Sequence, residues 1–186
     1  MSVPILTYFQ FRGLGESIRL LLEDQGIVFE DRRVAFGPEW EALKPELPFG
    51  QVPRLQVGDR TIVQSQAILR HLGREHGLCG ATEADRVRCD VSLEAARDGS
   101  QRLVDHFWSP DSMKPGAPTA FETGTLADLL AMLERWLGDA PWFGGGEVLI
   151  ADYYVLTVLD EAAIFFPAAM ERAPALAAYR RRMNER

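Results

Sequence analysis

The sequence predicts a small α/β domain of order βαβ, a loop or short helix, then ββα, followed by an all-helical domain. Three observations carry that expectation. Strand-like alternation and short apolar runs end near residue 77. Two of those runs, VPRLQV and RTIVQ, are joined across Gly58-Asp59, a hairpin signal. From Glu83 onward, apolar residues recur at three- and four-residue steps.

Taken in order, the chain alternates as a strand from Val3 to about Phe9. GESIRLLLEDQG then carries Ile18, Leu21 and Leu22 on one helical face before a stop at Gly26. Val28 to Val34 is a second, more polar strand, and a region rich in Gly, Pro and Trp runs to Pro48. The hairpin follows, and Ser65 is the expected N-cap of a helix reaching about His76. Beyond LCGAT, the pattern from Glu83 to Trp108 is one long helix, broken at SPDSMKPGAP. TLADLLAMLERWL, IADYYVLTVLDEAAIFF and PALAAYRRRMNER give further helices between Gly- and Pro-bearing joints. The expected bounds are residues 1–77 for the first domain and 83–186 for the second, with 78–82 as linker.

Composition limits the function classes. With 186 residues, 47% of them hydrophobic, the chain can build one well-cored domain or two small ones. A net charge of −7 argues against nucleic acid or an anionic membrane as main partner, since each needs a concentrated basic face. No apolar run approaches the roughly 18 residues of a membrane span. The N-terminus lacks a basic stretch leading into a long apolar one, so the expected location is cytoplasmic. Cys79 and Cys89 form no CxxC, and His71, His76 and His106 lack the spacing that aims two imidazoles at one ion, so no metal is expected.

The residues that can carry chemistry sit mostly in the first domain. If the Val52-Pro53 peptide at the start of a strand is cis, the backbone of Val52 turns outward, free to pair with an extended peptide-like ligand. Gln64 and Ser65 stand where a helix begins, and free N–H groups there suit a carboxylate. Taken alone, the same residues read first as an edge-strand proline and a capping serine. Tyr8 ends the first strand, where a phenol either packs or donates a hydrogen bond to a bound thiolate, favouring ionised sulfur.

Together, YFQFRGLGESIRLLLEDQG (Tyr8 to Gly26), LPFGQVPRL (Leu47 to Leu55), VQSQAILRHLGREHGL (Val63 to Leu78) and, more loosely, LIADYYVL (Leu149 to Leu156) resemble the cytosolic glutathione transferases. The resemblance spans nearly the whole chain and looks closest to the tyrosine-type sigma and pi classes. It implies a thioredoxin-like N-terminal domain and glutathione as co-substrate, without metal or nucleotide. Position by position, Tyr8 matches the tyrosine that stabilises the thiolate, and Val52 precedes the family's cis-proline, here Pro53. Gln64 and Ser65 match the holders of the γ-glutamyl end. Trp40 and Lys44 match residues reaching the glycine end, with Gln51 nearby; Lys44 supplies a local cation on an acidic chain. Asp98 matches an acidic residue that reaches the neighbouring subunit's ligand in a homodimer, and Phe49 matches an aromatic key at that interface. Phe9, Leu14, Phe107 and Trp108 fall where the family lines its electrophile pocket, whereas Arg12 braces structure.

Three departures accompany the resemblance. Leu14 stands where many pi and sigma members have arginine and mu members tolerate leucine. Leu149 replaces the Ser or Thr of a capping box whose other member matches Asp152, so one reciprocal bond is expected to be missing. The chain stops at Arg186, short of a segment many members fold over the second-substrate site, so an open electrophile site is expected. The expected function is conjugation of the glutathione thiolate to a small hydrophobic electrophile. The alternatives are a glutathione-dependent isomerase or peroxidase, or a non-catalytic protein binding glutathione or an apolar ligand on the same fold.

Overall fold

Leu6 and Leu55 face each other across two strands, both fully buried, and around them the first sheet is built. Strand β1 (Ile5–Phe9) pairs in parallel with β2 (Glu30–Val34) and antiparallel with β3 (Arg54–Val57), which pairs antiparallel with β4 (Arg60–Val63). The order β2-β1-β3-β4 makes a four-stranded mixed sheet of thioredoxin-like type. Gly58-Asp59 forms the two-residue turn between β3 and β4, where Val57 pairs with Arg60. β2 starts two residues later than Val28, whose exposed side chain precedes the first ladder pair at Glu30.

Helices α1 (Gly13–Asp24) and α3 (Ser65–His76) pack against each other and against the strands. They bury Ile18, Leu21 and Leu22 from α1 and Ile68, Leu69 and Leu72 from α3. Each such side chain contributes about 1.5–3 kcal/mol by leaving water. The Gly-, Pro- and Trp-rich stretch contains a short helix, α2 (Pro38–Leu43), and a 3₁₀ turn at Lys44–Glu46. Pro38 opens α2 at a position whose N–H needs no partner. Its apolar side closes over Val34 with Leu43 and Leu47, and Trp40 and Val52 pack on that cluster.

Ser65 is the first residue of α3, and Gln64 is its N-cap, without a side-chain cap bond. The reason is the backbone: Gln64 has φ 72° and is the only non-glycine residue with positive φ among the described residues. The turn from β4 into α3 is therefore made at Gln64, one residue earlier than the expected cap at Ser65.

The structure, a computed structural model, describes residues 2–186. It divides into two compact units, Met1–Cys79 and Gly80–Arg186. The second unit opens with α4 (Glu83–Trp108), started by a reciprocal cap. The Asp85 N–H donates to Thr82 Oγ1 at 3.2 Å and the Thr82 N–H to Asp85 Oδ2 at 2.9 Å. Next come α5 (Ala117–Phe121), a π-helical stretch at Glu122–Leu126 and α6 (Ala127–Leu137), which follow one another directly. Helix α7 (Ile150–Phe165) is apolar almost all round and packs against α4. α8 (Pro167–Glu171) and α9 (Pro174–Asn184) complete the unit.

At the start of α7 the Leu149 N–H donates to Asp152 Oδ2 at 2.9 Å, with no side-chain cap bond returned by the hydrocarbon Leu149. Asp152 gathers more donors: the N–H groups of Phe143 (2.7 Å) and Gly144 (3.0 Å) and the hydroxyl of Tyr179 (3.0 Å). Burial raises the Asp152 carboxyl above its usual range, and these hydrogen bonds oppose the rise. Burial first, then the Asp152 charge, pushes the Tyr179 hydroxyl well above 10.0. Two of the C-terminal arginines also have partners: Arg180 pairs with Asp160 at 2.5 Å, and Arg182 donates to the Pro141 carbonyl at 2.8 Å. No helix among the described residues is long and apolar enough to cross a membrane.

Candidate active site

Sheet register gathers the candidate residues. Thr7 pairs with Arg54, and Arg54 with Val63. One step beyond those pairs stand Tyr8 on β1, Pro53 before β3 and Gln64 after β4, at the same end of the sheet. Phe9, paired with Val34, ends β1 at that edge too. The ladder of β3 begins at Arg54, so β-pairing does not take up the backbone of Val52. The Val52-Pro53 peptide is cis.

A cleft of about 220 Å³ opens at this edge. Phe9, Leu14, Trp40, Phe49, Gly50, Gln51, Val52, Pro53, Val63, Gln64 and Ser65 line it, all from the first unit. Lys44 stands beside it: a Cβ on Gly50 would lie 3.5 Å from Lys44 Cγ, so the lysine stem runs over that glycine. Ser65 opens α3, whose first N–H groups have no acceptor within the helix. One wall is thus apolar and aromatic, and the other offers amide, hydroxyl and backbone groups.

Tyr8 lies beneath this edge, 5% exposed, and is not itself in the lining. It touches the wall through Leu14, whose backbone N–H donates to the Tyr8 hydroxyl oxygen at 3.0 Å. Two glycines make this approach possible. A Cβ on Gly13 would sit 2.5 Å from Tyr8 Oη, and one on Gly15 would sit 2.5 Å from ring carbon Cδ1. Only residues without a side chain let α1 come this close to the phenol.

The other candidates lie elsewhere. Asp98 is exposed on α4 and pairs with Arg97 at 3.5 Å. Phe107 and Trp108 end α4 in the second unit; Phe107 packs on Phe165 with ring centroids 4.6 Å apart, and Trp108 is 75% exposed. Arg12 reaches Glu16 at 3.6 Å. Among the described residues no group of three or more His, Cys, Asp or Glu could hold a metal ion.

Sequence reasoning missed Arg19. It is 3% exposed, and its guanidinium lies 5.7 Å from the Tyr8 ring centroid. It donates to Asp31 at 3.1 Å and to the carbonyls of Phe9 (3.2 Å) and Phe11 (3.4 Å). The available signal was an arginine bordering the apolar face of a helix, beside Ile18 and one turn from Leu22, where a charge needs a partner.

The family model described as the glutathione S-transferase N-terminal domain matches residues 4–74, and that of the C-terminal domain matches residues 114–186. The chain is 37% identical over 180 residues to glutathione S-transferase Mu 6 of Mus musculus, covering 92% of this chain and 81% of that protein. It is 35% identical over 187 residues to glutathione S-transferase P 10 of Caenorhabditis elegans, covering 100% and 88%. The Pi-class glutathione S-transferase of Onchocerca volvulus superposes with a TM-score of 0.91 at 33% identity, over 98% of this chain and 88% of that one. The chain joins a thioredoxin-like unit to a helical one. It belongs to the glutathione S-transferase family.

Proposed function

We propose that this protein is a glutathione transferase that binds glutathione at the edge of the first sheet and uses Tyr8 to ionise its thiol. The observation that carries the reading is the register: it sets Tyr8, Val52-Pro53 and Gln64-Ser65 in a row, with a single cleft running past the last two pairs. The cysteinyl backbone of the ligand pairs with the unused N–H and C=O of Val52, as an added strand. The γ-glutamyl carboxylate meets Gln64 and the N-terminal end of α3, where the helix dipole favours an anion. The glycine carboxylate lies towards Trp40, Lys44 and Gln51, and Lys44 supplies the cation.

The thiolate is the reactive form, so the protein's task is to ionise sulfur and hold it near the electrophile. Tyr8 donates its hydroxyl hydrogen bond to the sulfur, favouring the charged form. Sulfur then bonds to an electrophilic carbon, and in a substitution the leaving group departs with the displaced electron pair. Phe9 and Leu14, which line the cleft, form a wall for that substrate.

The proposed functional division is residues 1–77 for glutathione binding and 83–186 as the helical domain, joined by 78–82. The proposed assembly is a cytoplasmic homodimer in which Phe49 is the interface key and Asp98 reaches the neighbour's ligand. Retention on immobilised glutathione, followed by conjugation of a reactive aryl halide, tests the function. Retention without turnover points instead to a binding protein, and turnover confined to isomerisation or peroxide reduction points to those activities on the same apparatus.

A further inference from the structure

From the last residue of β1 the chain turns through Phe9, Gln10 and Phe11, and all three carbonyls accept hydrogen bonds from arginines. Arg19 Nη2 donates to the Phe9 carbonyl at 3.2 Å, Arg33 Nη1 to that of Gln10 at 3.2 Å, and Arg19 Nη1 to that of Phe11 at 3.4 Å. Asp31 joins the two arginines. Its Oδ1 accepts from Arg19 Nε at 3.1 Å and its Oδ2 from Arg33 Nε at 2.8 Å. Glu16 Oε2 takes Arg19 Nη1 at 3.1 Å. Two carboxylates, one of them shared with Arg33, therefore pair with a guanidinium that is almost wholly buried.

This is a large commitment of polar groups to one turn, and what the turn carries is Tyr8. The residue just before it is the phenol, whose ring lies 5.7 Å from the Arg19 guanidinium. Arg19 also belongs to α1, the helix whose Leu14 N–H donates to the Tyr8 hydroxyl. One side chain thus ties the helix that contacts the phenol oxygen to the strand end that holds the ring.

We propose that Arg19, bridged through Asp31 to Arg33, is a positioning residue for Tyr8: it fixes the Phe9–Phe11 turn and holds a cation against the phenol ring. The proposal rests on the role given to Tyr8 above. A cation near the ring draws electron density from it and makes the hydroxyl a stronger donor. The planar fork meets four acceptors at set angles, which a lysine cannot reproduce although it keeps the charge. Arg19→Lys and Arg19→Gln therefore separate geometry from charge.

The test is the pH profile of kcat/KM for the electrophile at saturating glutathione, which reports the bound thiol, together with KM for glutathione, in the protein carrying Arg19→Gln, Arg19→Lys or Asp31→Asn, each alone and combined with Tyr8→Phe. Alone, Arg19→Gln should lower kcat about 10- to 100-fold, leave KM for glutathione within about threefold, and move the acid limb of the profile to higher pH. Arg19→Lys should show a smaller shift of that limb, because the charge remains. Combined with Tyr8→Phe, each substitution should cost less than about threefold, because the group it acts through is gone. Asp31, a quarter exposed, carries the test if Arg19→Gln does not fold, with a smaller loss of the same pattern. Equal fold-losses with and without Tyr8→Phe, or an unmoved acid limb in the single variants, overturn the proposal. A wild-type limb no lower than that of free glutathione overturns the role of Tyr8 itself and this proposal with it. That outcome is distinct from a low wild-type limb which the variants retain.

Discussion

The backbone N–H of Leu14 donates to the hydroxyl oxygen of Tyr8 across 3.0 Å, so the first turn of α1 and the last strand residues of β1 meet at the phenol oxygen. A phenol that accepts one hydrogen bond donates the next more strongly. Tyr8→Phe should accordingly lower turnover about 10- to 100-fold, the worth of one charge-assisted hydrogen bond of about 1.5–3 kcal/mol. Affinity for glutathione should barely change, because the rest of the tripeptide is held by other groups. Steady-state kinetics beside equilibrium binding check both halves.

Gly15→Ala sets helix propensity against packing. Alanine in place of glycine inside a helix gains up to about 1 kcal/mol. Here the new methyl would lie 2.5 Å from Tyr8 Cδ1 and 2.6 Å from Cγ, on a buried ring with no room to retreat. Overpacking of that kind costs about 1–3 kcal/mol, so the clash wins and turnover should fall as the phenol is displaced. Gly124→Ala is the control: nothing lies within 4 Å of its Cβ position, so it should be neutral or slightly stabilising. Unfolding free energies of the two variants from urea titration should move in opposite directions or differ by about 1 kcal/mol or more.

Lys44→Ala should act on binding alone. Its stem runs over Gly50 at the edge of the cleft, and its proposed contact is the glycine carboxylate and not the sulfur, so KM for glutathione should rise about 3- to 10-fold with kcat nearly constant. The wild-type KM should rise with added salt, and that of the variant should rise less.

Phe49→Ser should loosen the proposed dimer. Phe49 is 67% exposed on the loop before Gly50, an unusual place for a large apolar ring. Sedimentation across a dilution series should show the variant dissociating at higher protein concentration than wild type. A wild type that is monomeric at micromolar concentration contradicts the dimer.

Tyr179 makes stability depend on alkaline pH. Its folded-state pKa lies well above 10.0, so its contribution is complete below that value and is lost as pH rises through the folded value. The loss amounts to about 1.4 kcal/mol for each pH unit in that window. Tyr179→Phe should lack this alkaline loss, and at neutral pH it should be less stable by about 1–3 kcal/mol because Asp152 loses a donor. Denaturant unfolding at a series of pH values separates the two effects.

Local signals made much of this legible. The hairpin at Gly58-Asp59 and the helices ending at His76 and Trp108 follow from period and turn chemistry that each segment carries within itself. Whatever depends on distant partners was not legible. Arg19 owes its place to Asp31 and to two carbonyls on another element. Gly13 and Gly15 look like ordinary turn and helix glycines until the Tyr8 ring is set against them. Gln64 took the cap position from Ser65 because its backbone adopts a positive φ that glutamine rarely accepts. Thr82 and Asp85 had a readable T-x-x-D spacing, close to the usual capping box with a shorter acid. The five-residue helix at Pro167–Glu171 is too short to show a period.

The central claim is that bound glutathione is ionised by Tyr8, and the ultraviolet absorbance of the thiolate, titrated with pH in the complex, tests it most directly. An unperturbed cysteine thiol ionises near about 8.5. A hydrogen bond of the strength given above lowers the midpoint by about one to two pH units. The wild-type complex should therefore titrate at least about one unit below free glutathione, and the Tyr8→Phe complex should return most of the way towards it. A wild-type midpoint equal to that of free glutathione, or one that Tyr8→Phe leaves in place, would contradict the account.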